Sequence, residues 1–301
     1  MMTYKSIDLE DKEWINNIVK KSETMSSEYP FVSNFLWQDY MLLDLIDDKS
    51  FFSVFSNRFN AYLFPLLDNI HDNYHERLIN VINLLKDDAD KKEIGFKMYG
   101  LTEETKARLN SLFPGKFKYV LIRDSSDYIY KIEELITLKG KKFHNKRNLI
   151  NSFKVNYPNW AYKPLDKSMF QECRDIDLNW FINKGQDNET LDYEINIPEL
   201  AFKYFDELDL FGGVITIDDK IVGFTIAHKI NDMIIDNVIE KAISDYKGVY
   251  NILQQQFLAD LPKNYIYVNR EEDLGLENLR KAKLLLHPYY LLDKYNAIWI
   301  N

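Results

Sequence analysis

The sequence has little cysteine, glycine or proline. Its single cysteine, Cys173, excludes an intramolecular disulfide and a metal site built on several cysteines, and we expect it to be a small filler on a helix. With 10 glycines, 8 prolines and 46% hydrophobic residues among 301, the composition excludes a disordered chain. No apolar run approaches the roughly 18 residues that span a bilayer, and residues 1–11 lack a signal-peptide core. We therefore expect a soluble, cytoplasmic protein without an integral membrane segment.

An excess of positive charge is also lacking. The formal net charge of -9 excludes a protein that coats nucleic acid or anionic membranes non-specifically, although a local basic patch is compatible with it. No zinc-protease helix, serine-hydrolase elbow, Walker loop or glycine-rich dinucleotide fingerprint is present. His71 and His75 lie four residues apart without a third ligand nearby, so no metal site is predicted.

The length suits two domains, and the hydrophobic pattern repeats one order of elements twice. In the first half, Thr102 is predicted to cap the N-terminus of a helix, and the type of the aromatic-rich stretch 31–46 stays open. The first half predicts a helix at 9–22, strands at 51–56 and 61–66, a helix at 71–91, a strand at 96–101, a helix from Thr102 to Leu112 and a strand at 118–122.

The second half predicts helices at 169–181 and 198–208, strands at 213–217, 221–230 and 233–240, a helix at 249–261, a strand at 265–268, a helix at 275–285 and a terminal stretch at 289–299. The polar segment 123–128 separates the halves. We therefore predict two α/β domains, residues 1–125 and residues 126–301.

A first candidate site is the stretch 139–154, which carries several cations and no acid in an acidic chain. Partial helical spacing of its apolar residues would let four cations project from one face: Lys141, Lys142, Lys146 and Arg147. One interpretation is a solvated face paired with neighbouring acids. The other is a site for an anionic ligand, either a nucleotide-type phosphate or an RNA backbone.

A second candidate is the strand at 233–240 and the loop that follows it. Alternation predicts that Ile234, Asp236, Val238 and Glu240 share one face, with Glu240 at the strand's end beside a ligand. The loop then carries Tyr246, Lys247 and Gly248 before the next helix. A glycine there lets backbone N–H groups approach a phosphate, although such a loop is also ordinary turn chemistry.

A third candidate follows the strand at 265–268. Asn269, Arg270 and Glu271 lie where a strand ends, which is where open α/β sheets usually bind ligands. The alternative is a buried salt-bridge network with Arg280 or Lys283 that fixes the loop.

These stretches together resemble the family of proteins similar to the C-terminal domain of phosphatidylglycerol lysyltransferase. The resemblance rests on Tyr128-Ile129-Tyr130 with Glu133 and Leu135, on 138–148, on Glu240 with 246–250, on 269–275, on 279–283 and on His287-Pro288. It covers most of the second half, whereas the first half matches through Asn34 to Tyr40 and general layout.

The resemblance implies two tandem acyl-CoA N-acyltransferase (GNAT)-like domains, as in the Fem-type aminoacyltransferases that take amino acids from charged tRNA. It implies transfer of an acyl or aminoacyl group from acyl-CoA or aminoacyl-tRNA to an amine or hydroxyl, with no tightly bound cofactor. Glu240 would be a general base or an anchor for a substrate ammonium.

The remaining candidates would bind the donor and shape the acceptor side. Lys141, Lys142, Lys146 and Arg147, assisted by Tyr246, Lys247 and Gly248, would hold the donor's phosphates, and Asn269 and Arg270 would shape the acceptor side. The loop departs from the superfamily pattern because it has one glycine, so tight coenzyme A binding is not expected. The rival function is a non-catalytic module that binds an anionic partner.

Overall fold

The structure, a computed structural model, describes residues 2–67, 73–184 and 188–300, with side chains outside 180–195. Contacts divide the chain into two units. Unit 1 comprises residues 1–127, 272–277 and 291–301, and unit 2 comprises residues 128–271 and 278–290. The predicted boundary between residues 125 and 126 stays a prediction. Two later segments, 272–277 and 291–301, group with the first 127 residues by their contacts.

The elements of the first 125 residues are β1 (Tyr4–Lys5), α1 (Lys12–Ser22), α2 (Phe31–Met41), β2 (Leu43–Ile46), β3 (Val54–Ser56), β4 (Ala61–Leu63), α3 (Tyr74–Lys91), β5 (Lys97–Leu101), α4 (Glu103–Leu112) and β6 (Phe117–Leu121). Helix α3 forms because Leu78, Ile82 and Leu85 recur at helical spacing, and all three are buried against the sheet. The aromatic-rich stretch of open type is helix α2 followed by strand β2.

The remaining elements are β7 (Asp127–Lys131), α5 (Ile132–Thr137), α6 (His144–Asn156), β8 (Trp160–Pro164), α7 (Phe170–Lys184), α8 (Asn188–Lys203), β9 (Phe211–Ile217), β10 (Lys220–Lys229), β11 (Ile234–Ala242), α9 (Val249–Asp260), β12 (Tyr267–Asn269), α10 (Glu277–Leu284), β13 (Tyr290–Leu292) and β14 (Tyr295–Trp299).

In the part of the chain that the structure describes, these strands form two seven-stranded sheets with the same layout. The first has the order β1-β2-β3-β4-β5-β14-β6 and the second, read from its other edge, β8-β9-β10-β11-β12-β7-β13. Each contains a parallel pair in the equivalent place, β4 with β5 and β11 with β12. The prediction of a mixed α/β fold with two repeated, GNAT-like domains is confirmed.

In each sheet, the strand next to the parallel pair is not the next strand along the chain. In the first sheet, β14 from the end of the chain lies between β5 and β6 and is antiparallel to both. In the second sheet, the equivalent place beside β12 is taken by β7, which follows the first half directly. The last strand of the chain therefore completes the first sheet.

A buried lysine fixes the segment before β14 within unit 1. Lys294 is 2% exposed, and its Nζ lies 3.0 Å from Asp127 Oδ2 and also pairs with Glu28. Asp127 in turn accepts hydrogen bonds from the Ser27 N–H at 3.0 Å and the Ser27 hydroxyl at 2.9 Å. Burial lowers the pKa of Lys294, but the carboxylates of Asp127 and Glu28 outweigh that effect and the net shift is upward.

Local predictions succeed where capping or periodicity is strong. Thr102 caps α4, because its hydroxyl accepts from the Thr105 N–H in a reciprocal capping pair. The predicted helix start at Pro198 is wrong, because α8 begins ten residues earlier, at Asn188, and contains the proline. Residues 71 and 72 of the helix predicted at 71–91 lie outside the described residues.

Candidate functional site

The site lies where the parallel strands of the second sheet part. β11 and β12 pair in register from Ile234 with Tyr267 to Asp236 with Asn269. Beyond that pair, β11 continues to Ala242 beside β10, whereas β12 ends at Asn269. An opening at the carboxyl ends of neighbouring parallel strands is the usual ligand position in open α/β sheets.

A β-bulge in β11 decides which side chains face this opening. The pairing with β10 runs Thr225 with Glu240 and Ile226 with Ile239, then shifts so that His228 pairs with Asp236. One extra residue in β11 reverses the alternation, so Asp236 and Glu240 lie on opposite faces. The prediction that Ile234, Asp236, Val238 and Glu240 share one face is therefore wrong.

Glu240 and Arg270 form an ion pair at the opening. Arg270 Nη2 donates to Glu240 Oε1 at 2.7 Å, and the two side chains are 14% and 11% exposed. Asn237 Nδ2 donates to Glu240 Oε2 at 3.1 Å, and Thr225 Oγ1 lies 2.5 Å from Asn237 Oδ1. The two candidates predicted from separate stretches thus meet, and the Coulomb attraction between charges this shielded from water exceeds that between surface charges.

Lys146 is a second cation that interacts electrostatically with both members of this pair. It lies on α6, is half-buried, and makes no hydrogen bond or ion pair with the residues described here. Burial lowers the pKa of Lys146 and so does the Arg270 guanidinium, while the Glu240 carboxylate raises it. We call Glu240, Arg270 and Lys146 the charged cluster; it holds two cations and one carboxylate.

The backbone of Arg270 is held from two sides. Its N–H donates to the Tyr128 carbonyl at 3.1 Å, and its own carbonyl accepts from Lys283 Nζ at 2.5 Å. The Glu271 carbonyl also accepts from that ammonium, at 3.2 Å, and Glu271 adopts the left-handed φ of 52°. Lys283 therefore fixes the loop through its carbonyls. The alternative interpretation of this loop was a salt-bridge network with Arg280 or Lys283. The contacts of Lys283 with backbone carbonyls could not be predicted from the residue pattern.

Two further polar residues complete the surroundings. Asn269 is fully buried, and its Oδ1 accepts from the Glu271 N–H at 2.7 Å, so its side chain shapes the backbone turn. The Tyr130 hydroxyl donates to the Lys283 carbonyl at 2.8 Å. Burial raises the pKa of Tyr130, and Arg270 and Glu240 both act on that phenol electrostatically. Tyr130 entered the sequence analysis only as part of a motif.

The predicted row of four cations does not act as one face. Arg147 turns back onto the backbone, donating to the Gly140 carbonyl at 2.8 Å and to the Leu138 carbonyl. Lys142 pairs with Glu134 at 2.6 Å in an exposed salt bridge. Lys141 is exposed and without a partner in the described ranges. Of the four, only Lys146 belongs to the charged cluster. The donor-binding roles of all four stay predictions.

The loop before α9 packs closely on α6. The Tyr246 ring lies 5.2 Å from the Tyr157 ring, and Lys247 is exposed. Gly248 has φ 94°, and a Cβ built on it would lie 2.7 Å from the Leu149 carbonyl oxygen. The glycine is therefore required by the approach of two helices, whether or not its N–H also meets a phosphate.

Gly248→Ala is expected to lower the free energy of unfolding by about 2–3 kcal/mol, because it adds left-handed strain and a clash with a helix backbone. Gly115→Ala is the matched control, since Gly115 has φ 69° with nothing within 4 Å of a built Cβ. It is expected to cost about 1 kcal/mol from backbone strain alone. Urea denaturation of both variants measures the difference, and equal losses would contradict the close approach.

The equivalent place in unit 1 is filled by a side chain. The Tyr29 hydroxyl lies 3.1 Å from the Phe64 carbonyl and 3.5 Å from the Gly100 carbonyl, at the ends of β4 and β5. Tyr29 is 2% exposed, and burial raises the pKa of its phenol. At this place unit 1 therefore has a buried tyrosine hydroxyl bonded to backbone carbonyls.

Two sheets with one layout are typical of a tandem GNAT-type fold, and the family and the fold point to an aminoacyltransferase-like domain. The chain belongs to the family described as phosphatidylglycerol lysyltransferase, C-terminal, whose model matches residues 20–298. The resemblance inferred from the motifs of the second half is confirmed over nearly the whole chain.

Comparison with solved structures agrees. The chain is 34% identical to a conserved protein of unknown function from Bacteroides thetaiotaomicron VPI-5482, with a TM-score of 0.91 and full coverage of both chains. Two more distant structures are similar in fold alone. L-PGS from Bacillus licheniformis has a TM-score of 0.65 at 14% identity over 99% of this chain and 93% of that one, and FemX has 0.63 at 9% identity over 100% and 98%.

A curated relative matches over part of its length. An uncharacterized protein of Mycoplasmoides gallisepticum is 24% identical over 182 residues, which is 60% of this chain and 58% of that protein. Among the described helices of this chain, none combines the length and apolar character needed to cross a membrane.

Proposed function

We propose that unit 2 transfers an aminoacyl group from aminoacyl-tRNA to an amine or hydroxyl of an acceptor molecule. The observation that supports the proposal is the charged cluster: the Glu240–Arg270 ion pair lies beyond the last paired residues of β11 and β12, and Lys146 interacts electrostatically with both members. The family and the fold support the class of reaction, and they do not favour a non-catalytic binding module.

The charges of the cluster support an aminoacyl ester as the donor, because such an ester carries an ammonium and its reaction forms an oxyanion. The cluster holds one carboxylate against two cations, so it has a place for one more negative charge. An aminoacyl ester brings an ammonium that a carboxylate can hold, and its carbonyl oxygen becomes negative in the tetrahedral intermediate. A simple acyl group would leave the carboxylate without a substrate partner.

Exposed lysines near α6 and α9 support tRNA over coenzyme A. Lys139, Lys141 and Lys247 are exposed, and within the described chain none has a hydrogen-bond or ion-pair partner. Spread cations of this kind suit a phosphodiester backbone. The single glycine of the α9 loop faces the Leu149 carbonyl, so it offers less room for a coenzyme A pyrophosphate than a glycine-rich loop does.

The chemistry is an acyl exchange. The acceptor nitrogen or oxygen attacks the ester carbonyl, a tetrahedral oxyanion forms, and the bond to the terminal ribose oxygen breaks. The acceptor loses one proton and the ribose oxygen gains one, so no oxidant and no covalent enzyme intermediate is required. Lys146 stabilises the oxyanion as the cation without another partner.

Glu240 anchors the aminoacyl ammonium in this scheme. Its Oε1 is held by Arg270, and its Oε2 receives a hydrogen bond from Asn237, so each oxygen retains capacity to accept another hydrogen bond. A carboxylate that Arg270 and Asn237 already hold in place suits an anchor better than a proton acceptor.

The test is binding and transfer with tRNA charged with individual labelled amino acids, alongside acetyl-CoA and uncharged tRNA. Lys139→Gln/Lys141→Gln/Lys247→Gln is expected to weaken tRNA binding about tenfold at low salt and to flatten its salt dependence, because each lysine releases counterions. Lys91→Gln/Lys116→Gln/Lys118→Gln, on exposed lysines of unit 1, is the matched control. Label transfer from acetyl-CoA, with no tRNA binding, would contradict the proposed donor.

A further inference from the structure

The bulge in β11 brings the side chain of Asn237 to Glu240. In a regular strand, residues three apart point to opposite faces, so these two side chains would not meet. One extra residue of β11 lies between the pairs that Ile239 and Asp236 form with β10. With that residue in place, Asn237 Nδ2 donates to Glu240 Oε2 at 3.1 Å. Bulges next to functional sites re-aim side chains in this way.

A buried hydroxyl on the neighbouring strand holds the other end of that amide. Thr225 pairs with Glu240 across β10 and β11, is fully buried, and donates to Asn237 Oδ1 at 2.5 Å. The same hydroxyl lies 3.0 Å from the Ile239 carbonyl, and the contact with the amide is the shorter of the two. Because threonine is β-branched, its χ1 angle is restricted and the hydroxyl keeps its direction.

The orientation of the Asn237 amide decides what it offers to Glu240. A carboxylate accepts hydrogen bonds, so it requires the NH₂ group of the amide. If the amide turned over, its oxygen would face Glu240 Oε2, and two acceptors repel each other. In the observed orientation the Thr225 hydroxyl satisfies the amide oxygen, which would otherwise be buried without a donor.

Stability of the sheet gives no reason for this polar pair. Thr225 is fully buried and Asn237 is 9% exposed, and burying a hydroxyl and an amide costs free energy unless both are hydrogen-bonded. Two apolar side chains of similar shape would fill the same space without that cost. The pair instead leads to the one carboxylate of the charged cluster.

We infer that Thr225 and Asn237 are positioning residues for the transfer reaction, which fix the Glu240 carboxylate in one orientation for the aminoacyl ammonium. Neither touches the reacting atoms, and both act through Glu240. Arg270 holds the other carboxylate oxygen, so both oxygens are fixed before the donor binds. An anchor that is already ordered loses less entropy on binding, which lowers KM. The inference rests on the anchoring role proposed for Glu240.

The kinetic test compares variants of Thr225 in steady-state transfer from aminoacyl-tRNA. Thr225→Val keeps the shape and removes the hydroxyl, so KM for aminoacyl-tRNA should rise about tenfold while kcat stays within about twofold. Thr225→Ser keeps the hydroxyl and should stay within about twofold of the wild type in both constants. Asn237→Ala removes the amide and should reproduce the rise in KM, which tests the same link where Thr225→Val does not fold.

Two comparisons separate positioning from a general loss of structure. In the Glu240→Gln background, Thr225→Val should raise KM by less than about twofold more, because its effect passes through Glu240. Thr216→Val is the matched control, since Thr216 is a buried threonine of β9 in the same sheet and donates to the Ala161 carbonyl at 3.5 Å. It should transfer like the wild type, and uncharged tRNA should bind all these variants alike.

Crystal structures of the wild type and of Thr225→Val give a second readout that needs no turnover. We expect the Asn237 amide to contact Glu240 Oε2 in the wild type and to lose that contact in the variant. The inference is overturned if the contact persists in the variant, if KM is unchanged there, or if Thr216→Val raises KM equally. A wild type that transfers no aminoacyl group would overturn the proposed function instead, and the crystal structures would still decide whether Thr225 positions Glu240.

Discussion

Replacing Glu240 by glutamine is expected to lower kcat/KM for aminoacyl transfer at least about 100-fold, equivalent to about 2.7 kcal/mol of transition-state stabilisation. The change removes the carboxylate that Arg270 contacts at 2.7 Å and leaves Arg270 and Lys146 as two uncompensated cations. A positively charged aminoacyl group would then be repelled. Steady-state transfer with varied aminoacyl-tRNA measures the effect, and most of it should appear in KM.

Two controls separate this role from others. Glu134→Gln removes an exposed carboxylate, paired with Lys142, in the same unit and should leave transfer unchanged. Uncharged tRNA should bind Glu240→Gln as it binds the wild type, because it brings no ammonium. A fall in kcat with unchanged KM would assign Glu240 as the base instead, and unaltered turnover would remove it from the site.

A double-mutant cycle tests whether Glu240 and Arg270 act as a unit. If the ion pair is the functional element, Arg270→Met and Glu240→Gln together should cost little more than the larger single loss, because the pair is already broken in either variant. Fully additive losses would indicate two independent roles.

The sequence indicated the members of the site better than their arrangement. Glu240 and Arg270 were each predicted from a strand end, which needs only local pattern. Their pairing depends on the bulge in β11. No glycine or proline marks that bulge in the sequence, so the strand cannot be distinguished from a regular one by its residue pattern. Similarly, Arg147 and Lys146 are adjacent cations on one helix, and only packing decides that one clamps two carbonyls while the other reaches the charged cluster.

The fold shows the same division between local and long-range information. Helix α4 follows from its cap and helix α3 from its spacing, because both signals act within a few residues. The placement of β14 between β5 and β6 depends on pairing across about 170 to 200 residues, which no local propensity encodes. The sequence therefore predicts a structural element in the terminal stretch, and it does not predict the sheet that the element joins.

Lys294→Met is expected to lower the free energy of unfolding by about 3–5 kcal/mol, the usual cost of removing one partner from a buried charge cluster. Lys294 is 2% exposed and contacts Asp127, whose side chain is fully buried, and Glu28. The change leaves two carboxylates without their common cation, and it loosens the segment that leads into β14. Urea denaturation followed by circular dichroism measures the loss.

Lys118→Met, an exposed lysine on β6 of the same sheet, is the matched control and should change stability by no more than about 0.5 kcal/mol. Adding Asp127→Asn to Lys294→Met should recover part of the loss, because one uncompensated charge is removed. The raised pKa of Lys294 means that its contribution is complete below the unfolded value of about 10.4 and falls as pH rises through the higher folded value. As pH rises from neutrality, the stability difference between wild type and Lys294→Met should therefore narrow above about pH 10 and not before, and a narrowing between pH 7 and 9 would contradict the ion cluster as its cause.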